Sequence, residues 1–256
     1  MTDEVLFEID GRIAVITLNR PQKLNAVTPE MAEAIVAAVR QCNDSDAIRC
    51  VIVTGAGEKA FCAGSDIREL DAYDTAWRFR NRPDYCDAIR ALAKPSIAAV
   101  NGYAFGGGLE TAMSCDIRIA SANAQFAAPE IKLGWIGGGG MTMHLAHSIG
   151  MSNAALMVMT GDPIQAEKAL AWGLVSEVTA SDRLLARARE IAATIASRAP
   201  IAAETAKLNL KAAYSMSAEK AIEYERDLQT ICFATEDARE GRAAFKEKRQ
   251  PEFRRR

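Results

Sequence analysis

The run Asn101-Gly102-Tyr103-Ala104-Phe105-Gly106-Gly107-Gly108-Leu109-Glu110 puts three glycines where an extended segment gives way to a helical one. Glycine lets another molecule come close to bare backbone. Free N–H groups at a helix start, aided by the helix dipole, hold a negatively charged oxygen. A second stretch, Ala63-Gly64-Ser65-Asp66, likewise follows a strand and precedes a predicted helix. Two such backbone donors meeting at one point form an oxyanion hole, worth roughly 3–4 kcal/mol per donor. Tight turns alone are the competing account of the same glycines. Phosphate binding is disfavoured, because the chain has no Gly-Lys-Ser/Thr ending and the Gly106 cluster lacks dinucleotide-fingerprint spacing.

Two carboxylates stand out by context. Glu110 lies one turn into the glycine-led helix, and Glu130 follows Pro129 in Phe126-Ala127-Ala128-Pro129-Glu130-Ile131. A carboxyl group desolvated among apolar neighbours has a raised pKa and exchanges protons near neutrality, as general acid–base chemistry requires. The alternative is that both are ordinary helix-start carboxylates. Ser65 has no G-x-S-x-G elbow and no obvious histidine partner, which argues against a Ser-His-Asp hydrolase. His144 and His147 read as packing residues of an apolar helix rather than metal ligands, and Cys62 reads as a small buried hydrophobe.

The elements that must carry these residues show in the hydropathy pattern. Val5 to Asp10, an Asp10-Gly11 turn and Arg12 to Leu18 make a hairpin. Thr28-Pro29 opens a helix with Met31, Ile35, Val39 and Cys42 on one face, and Cys50 to Gly55 reads as a strand buried on both sides. Asp71 to Asp84 has weak periodicity and is expected to be a variable connection that shapes a pocket. Ser96–Val100 is extended, Leu109–Cys115 helical and Ile117–Ala120 extended again. Beyond Gly140 the pattern is almost wholly helical, with Leu184, Ala188, Ile191 and Ile195 on one face. No sequence repeat of fixed period is evident.

Composition narrows the function further. The chain has 256 residues, about half of them apolar, and a net charge of −2. That balance points to a packed globular core and gives no general attraction to nucleic acid or to an anionic membrane. The Phe253-Arg254-Arg255-Arg256 tail, with Lys246, Lys248 and Arg249 beside it, is a local basic exception that would motivate an RNA-binding reading. The six cysteines form no C-x-x-C pair, so buried free thiols are expected. The start Met1-Thr2-Asp3-Glu4 has no basic n-region or apolar h-region, and a cytoplasmic location is the expectation.

Four segments in order resemble the crotonase superfamily, the enoyl-CoA hydratase/isomerase family. They are Asn19-Arg20-Pro21 through Leu24-Asn25-Ala26; Ala60 to Ile67; Lys94-Pro95 through Asn101-Gly102 into Gly106-Gly107-Gly108; and Ala124-Gln125-Phe126 to Pro129-Glu130. The resemblance runs from about Val5 to Phe253. It implies an α/β fold, a crotonase-type spiral of ββα units over 1–195 with a helical region over 196–256 for oligomerisation, assembled as a homotrimer or a dimer of trimers. The donors it implies are the backbone N–H groups of Ser65 and Gly107, with Glu110 and Glu130 as the acid–base pair. By the same resemblance Ala63, Asp66, Ile67 and Arg68 line a coenzyme A channel, and Phe245 and Lys248 reach the coenzyme A from a helical tail. The substrate is an acyl-CoA thioester, of which coenzyme A is a part, and no metal or redox cofactor is implied. Trp135 departs from the small or polar residue usual there and is expected to restrict the acyl pocket, and His144 stands where arginine is common. An isomerase, a carnitinyl-CoA-type dehydratase or an acyl-CoA hydrolase of the same fold are the alternatives.

Overall fold

The computed structural model describes residues 3–256; of the Met1-Thr2-Asp3-Glu4 start, Met1 and Thr2 lie outside the described residues. The predicted hairpin is present as β1 (Val5–Asp10) and β2 (Ile13–Leu18), antiparallel about the Asp10-Gly11 turn. Helix α1 (Pro29–Asp44) is capped by the Thr28 hydroxyl, which accepts from the Met31 N–H at 3.3 Å. Its Met31, Ile35, Val39 and Cys42 face is buried.

Three turns of one pattern follow. Each sends a longer strand to a large sheet, then a three-residue strand to a small sheet, then a helical segment. The first is β3 (Cys50–Gly55), β4 (Ala60–Cys62) and the short helices α2 (Ile67–Leu70), α3 (Ala76–Arg80) and α4 (Tyr85–Arg90). The second is β5 (Ser96–Val100), β6 (Tyr103–Phe105) and α5 (Gly107–Ser114). The third is β7 (Ile117–Ser121), β8 (Gln125–Ala127) and a 3-10 turn over Pro129–Leu133. Asp71–Asp84 thus holds a short exposed helix within the expected connection.

Beyond Gly140 come α6 (Met141–Ile149), α7 (Met151–Thr160), β9 (Ile164–Gln165), α8 (Ala166–Trp172), β10 (Glu177–Thr179), α9 (Leu184–Ala196), α10 (Pro200–Ala212), α11 (Ala218–Ala234) and α12 (Glu236–Glu247). The half is almost wholly helical as expected, with two short strands that the pattern does not show. Two or three residues carry too little alternation to be read as strands, and pairing with β8 and β7 makes them so.

The large sheet has the order β1-β2-β3-β5-β7-β10 and the small one β4-β6-β8-β9. Strands β3, β5 and β7 are parallel neighbours, and both faces are covered. One face joins the main core, while Ile52, Ile97, Ala99 and Ile119 on the other pack against Leu184, Ala188 and Ala192 of α9, with Ile191 and Ile195 flanking. This explains why β3 reads as continuously apolar. In the small sheet β4, β6 and β8 run parallel, with Ala60 opposite Tyr103 and Phe105 opposite Ala127. Their carboxyl ends therefore open on one edge.

Candidate active site

That edge gathers residues far apart in the chain: Ala63–Asp66 after β4, Gly106 and Gly107 after β6, and Ala128–Glu130 after β8. Gly64 has φ +96, a left-handed conformation that favours glycine. A Cβ at Gly64 would lie 3.1 Å from the Gly107 nitrogen, so the two glycine turns touch. Ser65 forms a parallel bridge with Val27, in which Val27 N–H donates to Gly64 O at 2.8 Å and Asp66 N–H to Val27 O at 2.9 Å. The bridge turns the Ser65 N–H away from Val27. Among the described residues neither the Ser65 nor the Gly107 N–H donates to a protein acceptor.

The first turn of the chain braces this loop. Asn25, fully buried, accepts from Arg20 N–H at 2.8 Å and donates to the Ala56 and Ala60 carbonyls at 3.0 and 2.8 Å. Ala63 N–H donates to Leu24 O at 3.0 Å. The Arg20 guanidinium pairs with Asp66 at 2.8 Å, and this hydrogen bond holds the Asp66 carboxyl below its usual range. Asp66 also caps α2 by accepting from the Arg68 N–H at 3.2 Å. The segment from Arg20 to Asn25 is therefore a clamp on the Ser65 loop. Ile67 and Arg68 are exposed beyond it.

Gly106 has φ +56 and ψ −126, and a Cβ there would meet the Glu130 Oε1 at 2.9 Å. Gly107 begins α5, which carries Glu110 into the interior at 5 % exposure, so a solvated first-turn carboxylate is ruled out. Glu110 Oε1 accepts from the Gly139 N–H at 2.7 Å and the Met141 N–H at 3.2 Å. Side chains at Gly137 or Gly139 would fall within 2.8 and 2.7 Å of its oxygens, so the glycine run 137–140 leaves room for this carboxylate. Burial raises the Glu110 pKa and the nearby Glu130 charge raises it further, against the two N–H bonds. Burial also raises the Glu130 pKa. Glu130 Oε2 is buried without a partner among the described residues. A buried carboxylate oxygen without a partner is costly unless something else supplies a hydrogen bond.

Several residues of this site carried no sequence signal. Tyr85 is buried with its hydroxyl 3.2 Å from Ser65 Oγ, and a side chain at Gly107 would run into that hydroxyl. Arg90 donates to the Gly139 carbonyl and to Ser114 Oγ, bracing the loop that holds Glu110. The one local hint was Asp84, whose side chain caps α4 by accepting from the Cys86 N–H at 2.7 Å.

Other candidates fall elsewhere. Trp135 is bonded to Glu130 through its own N–H and the Glu130 carbonyl at 3.2 Å, and is 41 % exposed. Phe245 and Lys248 end α12, which packs on α11, and the Lys248 N–H donates back to the Ala244 and Phe245 carbonyls of that turn. Cys62 is buried, accepts from Gly64 N–H, and burial pushes its thiol up to about 12. All six cysteines are free, five of them buried. His147 packs edge-on to Tyr214, and burial, with Arg90 and Arg118, depresses His144 to about 4. Much of the basic tail is engaged within the chain: Asp237 accepts from the Arg254 and Arg255 N–H groups, and Arg249 pairs with Glu240 and Arg255 with Glu204 and Asp46.

Parallel strand ends, a glycine-led helix start and two glutamates on one sheet edge, Glu110 buried and Glu130 half-buried, define an α/β protein built as a crotonase-type spiral. Residues 8–256 match the family described as Enoyl-CoA hydratase/isomerase, and the chain belongs to that family. It is 42 % identical to "Probable enoyl-CoA hydratase echA8" of Mycobacterium tuberculosis, covering 98 % of each chain. It is 38 % identical to "Short-chain-enoyl-CoA hydratase" of Clostridium acetobutylicum, over 98 % of this chain and 97 % of that one. Among solved structures, the enoyl-CoA hydratase of Bacillus anthracis superposes with a TM-score of 0.95 at 34 % identity, covering 99 % of this chain and all of the other. No helix among the described residues is long and apolar enough to cross a membrane.

Proposed function

We propose that the protein is an enoyl-CoA hydratase, adding water syn across the 2,3 double bond of a 2-enoyl-CoA to give a 3-hydroxyacyl-CoA. The observation that carries this reading is the contact of the two glycine turns, Gly64-Ser65 and Gly106-Gly107, beside buried Glu110 and half-buried Glu130, both of raised pKa. In it the Ser65 and Gly107 N–H groups donate to the thioester oxygen and draw electrons from the alkene, which exposes C3 to attack. Glu110 and Glu130 hold the water between them. Glu110 assists its oxygen onto C3 and Glu130 relays a proton to C2. The scheme calls on no metal or redox group. Two carboxylates favour water addition over isomerisation, which one carboxylate can run by shuttling a proton.

Around this centre, Ala63, Ile67, Arg68 and the backbone of Asp66 line the coenzyme A channel. The Asp66 carboxylate itself is committed to Arg20. Phe245, 86 % exposed, and Lys248 offer an apolar face and a cation to the coenzyme A from the 196–256 helical region, which joins copies into a trimer or dimer of trimers. Trp135, attached next to Glu130, closes the acyl end.

A panel of enoyl-CoA and 3-hydroxyacyl-CoA thioesters, followed by mass spectrometry, tests the reading and the acyl preference together. Wild type gains or loses the mass of water. Glu110→Gln and Glu130→Gln each lose about 10²-fold or more of turnover while thioester binding stays within about tenfold, since amides keep the shape but transfer no proton. Trp135→Ala raises kcat/KM for long relative to short chains. Hydrolysis or double-bond migration without hydration would replace this reading with one of the other activities of the fold.

A further inference from the structure

Tyr85 opens α4 and lies twenty residues from one glycine turn and twenty-two from the other, yet its hydroxyl reaches both. The phenol is buried at 7 % exposure. It stands 3.2 Å from Ser65 Oγ, and it occupies the space that any side chain at Gly107 would need. The hydroxyl pair therefore adjoins the two residues whose N–H groups have no protein acceptor among the described residues.

A count of protons gives the pair a use. Two hydroxyls carry two protons, and the bond between them consumes one. Neither hydroxyl has another partner among the described residues. When Ser65 Oγ donates to Tyr85, the phenolic proton is left free beside the Gly107 turn, and accepting a bond makes the phenol a better donor. Burial, with the Cys86, Cys62 and Glu110 groups around it, raises the Tyr85 pKa well above its ordinary value, so the proton stays on the oxygen at neutral pH.

We propose that Tyr85 is a third, side-chain donor to the thioester oxygen, completing with the Ser65 and Gly107 N–H groups a three-donor oxyanion site. As the reaction proceeds, charge builds on the thioester oxygen, and the Tyr85 hydrogen bond strengthens without proton transfer. The Ser65 hydroxyl orients it. The inference rests on the hydratase reading only in taking an acyl-CoA thioester as the ligand.

The test reads polarisation separately from turnover. The probe is 4-dimethylaminocinnamoyl-CoA, a thioester whose absorption moves to the red as electron density is drawn onto its carbonyl oxygen. Wild type should shift the bound probe to the red, and Tyr85→Phe should lose a large part of that shift. For crotonyl-CoA hydration, Tyr85→Phe should lower kcat by about 10- to 100-fold with KM within about threefold, the pattern of a contact made mainly in the transition state. Ser65→Ala, which keeps both backbone donors and the phenol, should retain most of the shift. Should Tyr85→Phe fail to fold, 3-fluorotyrosine placed at position 85 gives a more acidic phenol of nearly the same shape and should deepen the shift. The proposal is overturned by a folded Tyr85→Phe protein with full shift and full kcat, by a fluorinated protein with an unchanged shift, or by Ser65→Ala reproducing the whole loss. The last result would make Tyr85 a support for Ser65 only. A wild type that shifts the probe but hydrates no thioester would refute the hydratase reading and leave the Tyr85 comparison decisive.

Discussion

Glu110 is carried inward by a helix that starts on glycine, and it stays there at a cost to stability. Its folded pKa is raised, mainly by burial and then by Glu130. The sign follows from linkage: the folded state binds the Glu110 proton more tightly than the unfolded state does. The stabilisation that proton brings is complete below the ordinary carboxyl range and is lost as pH rises through the raised folded value. Glu110→Gln can keep the bonds from Gly139 and Met141 while removing the charge. It should therefore be more stable than wild type at pH 7–8, by about 1 kcal/mol, the usual size of a stabilising change at an active site. The difference should shrink as pH falls toward the ordinary carboxyl range, and thermal melts across that window measure it. A variant less stable than wild type at neutral pH would show that Glu110 is held comfortably as an anion. The same raised values place the acid limb of kcat/KM above the ordinary carboxyl range, because the group that assists water must be ionised.

Among the elements, the short strands β4, β6 and β8 do the aligning, and the segment from Arg20 to Asn25 locks the first of them. Leu24 and Asn25 both have positive φ, at 53 and 55, a conformation that asparagine tolerates better than most residues. The Asn25 amide bonds three backbone groups, and Asn25→Ala leaves two of them, the Arg20 N–H and the Ala56 carbonyl, without a partner inside the fold, while the Ala60 carbonyl keeps the Asn101 amide at 3.2 Å. Each orphaned group costs about 1–3 kcal/mol, so a loss of at least 2 kcal/mol in urea unfolding is expected. Because Ala60 and Ala63 sit on that clamp, turnover should fall as well, although Asn25 lies outside the proposed acid–base pair. Unchanged stability would mean that the Val27 bridge, the Leu24–Ala63 bond and the Arg20–Asp66 pair hold the Ser65 loop without Asn25.

At the scale of the whole molecule, the 196–256 region is tied to the spiral by buried ion pairs. Lys94, 1 % exposed, meets Glu204 at 3.0 Å, and Lys207, 4 % exposed, meets Asp116 at 2.8 Å. Arg49 donates to the Ala196 and Phe253 carbonyls at 3.2 and 2.6 Å. The same region leaves Leu208, Leu210, Tyr214, Ile222, Ile231 and Phe233 exposed, apolar surface of the kind that association covers. On the trimer or dimer-of-trimers reading proposed above, sedimentation should give three or six copies. Leu210→Glu, at a position 66 % exposed in the single chain, should move the distribution toward monomer with little loss of helix content. A monomeric wild type would remove oligomerisation from the role of this region.

Local physics made much of this legible in the sequence. The Thr28 cap, the α9 face through Leu184 and Ala188, the buried run of β3, the glycine turns and both glutamates each follow from residues within one helical turn or one strand. Their order also matched the motifs of a known family. Tertiary structure alone decided that the ends of β4, β6 and β8 lie side by side, that Gly64 touches Gly107, and that Arg20 neutralises Asp66. It also brought Tyr85 to the glycine turns and Arg90 beneath the Glu110 loop. These are contacts between segments roughly twenty to fifty residues apart. Nothing in the residues near Tyr85 or Arg90 encodes them, because the partner strand or loop becomes a neighbour only when the chain completes another turn of the spiral.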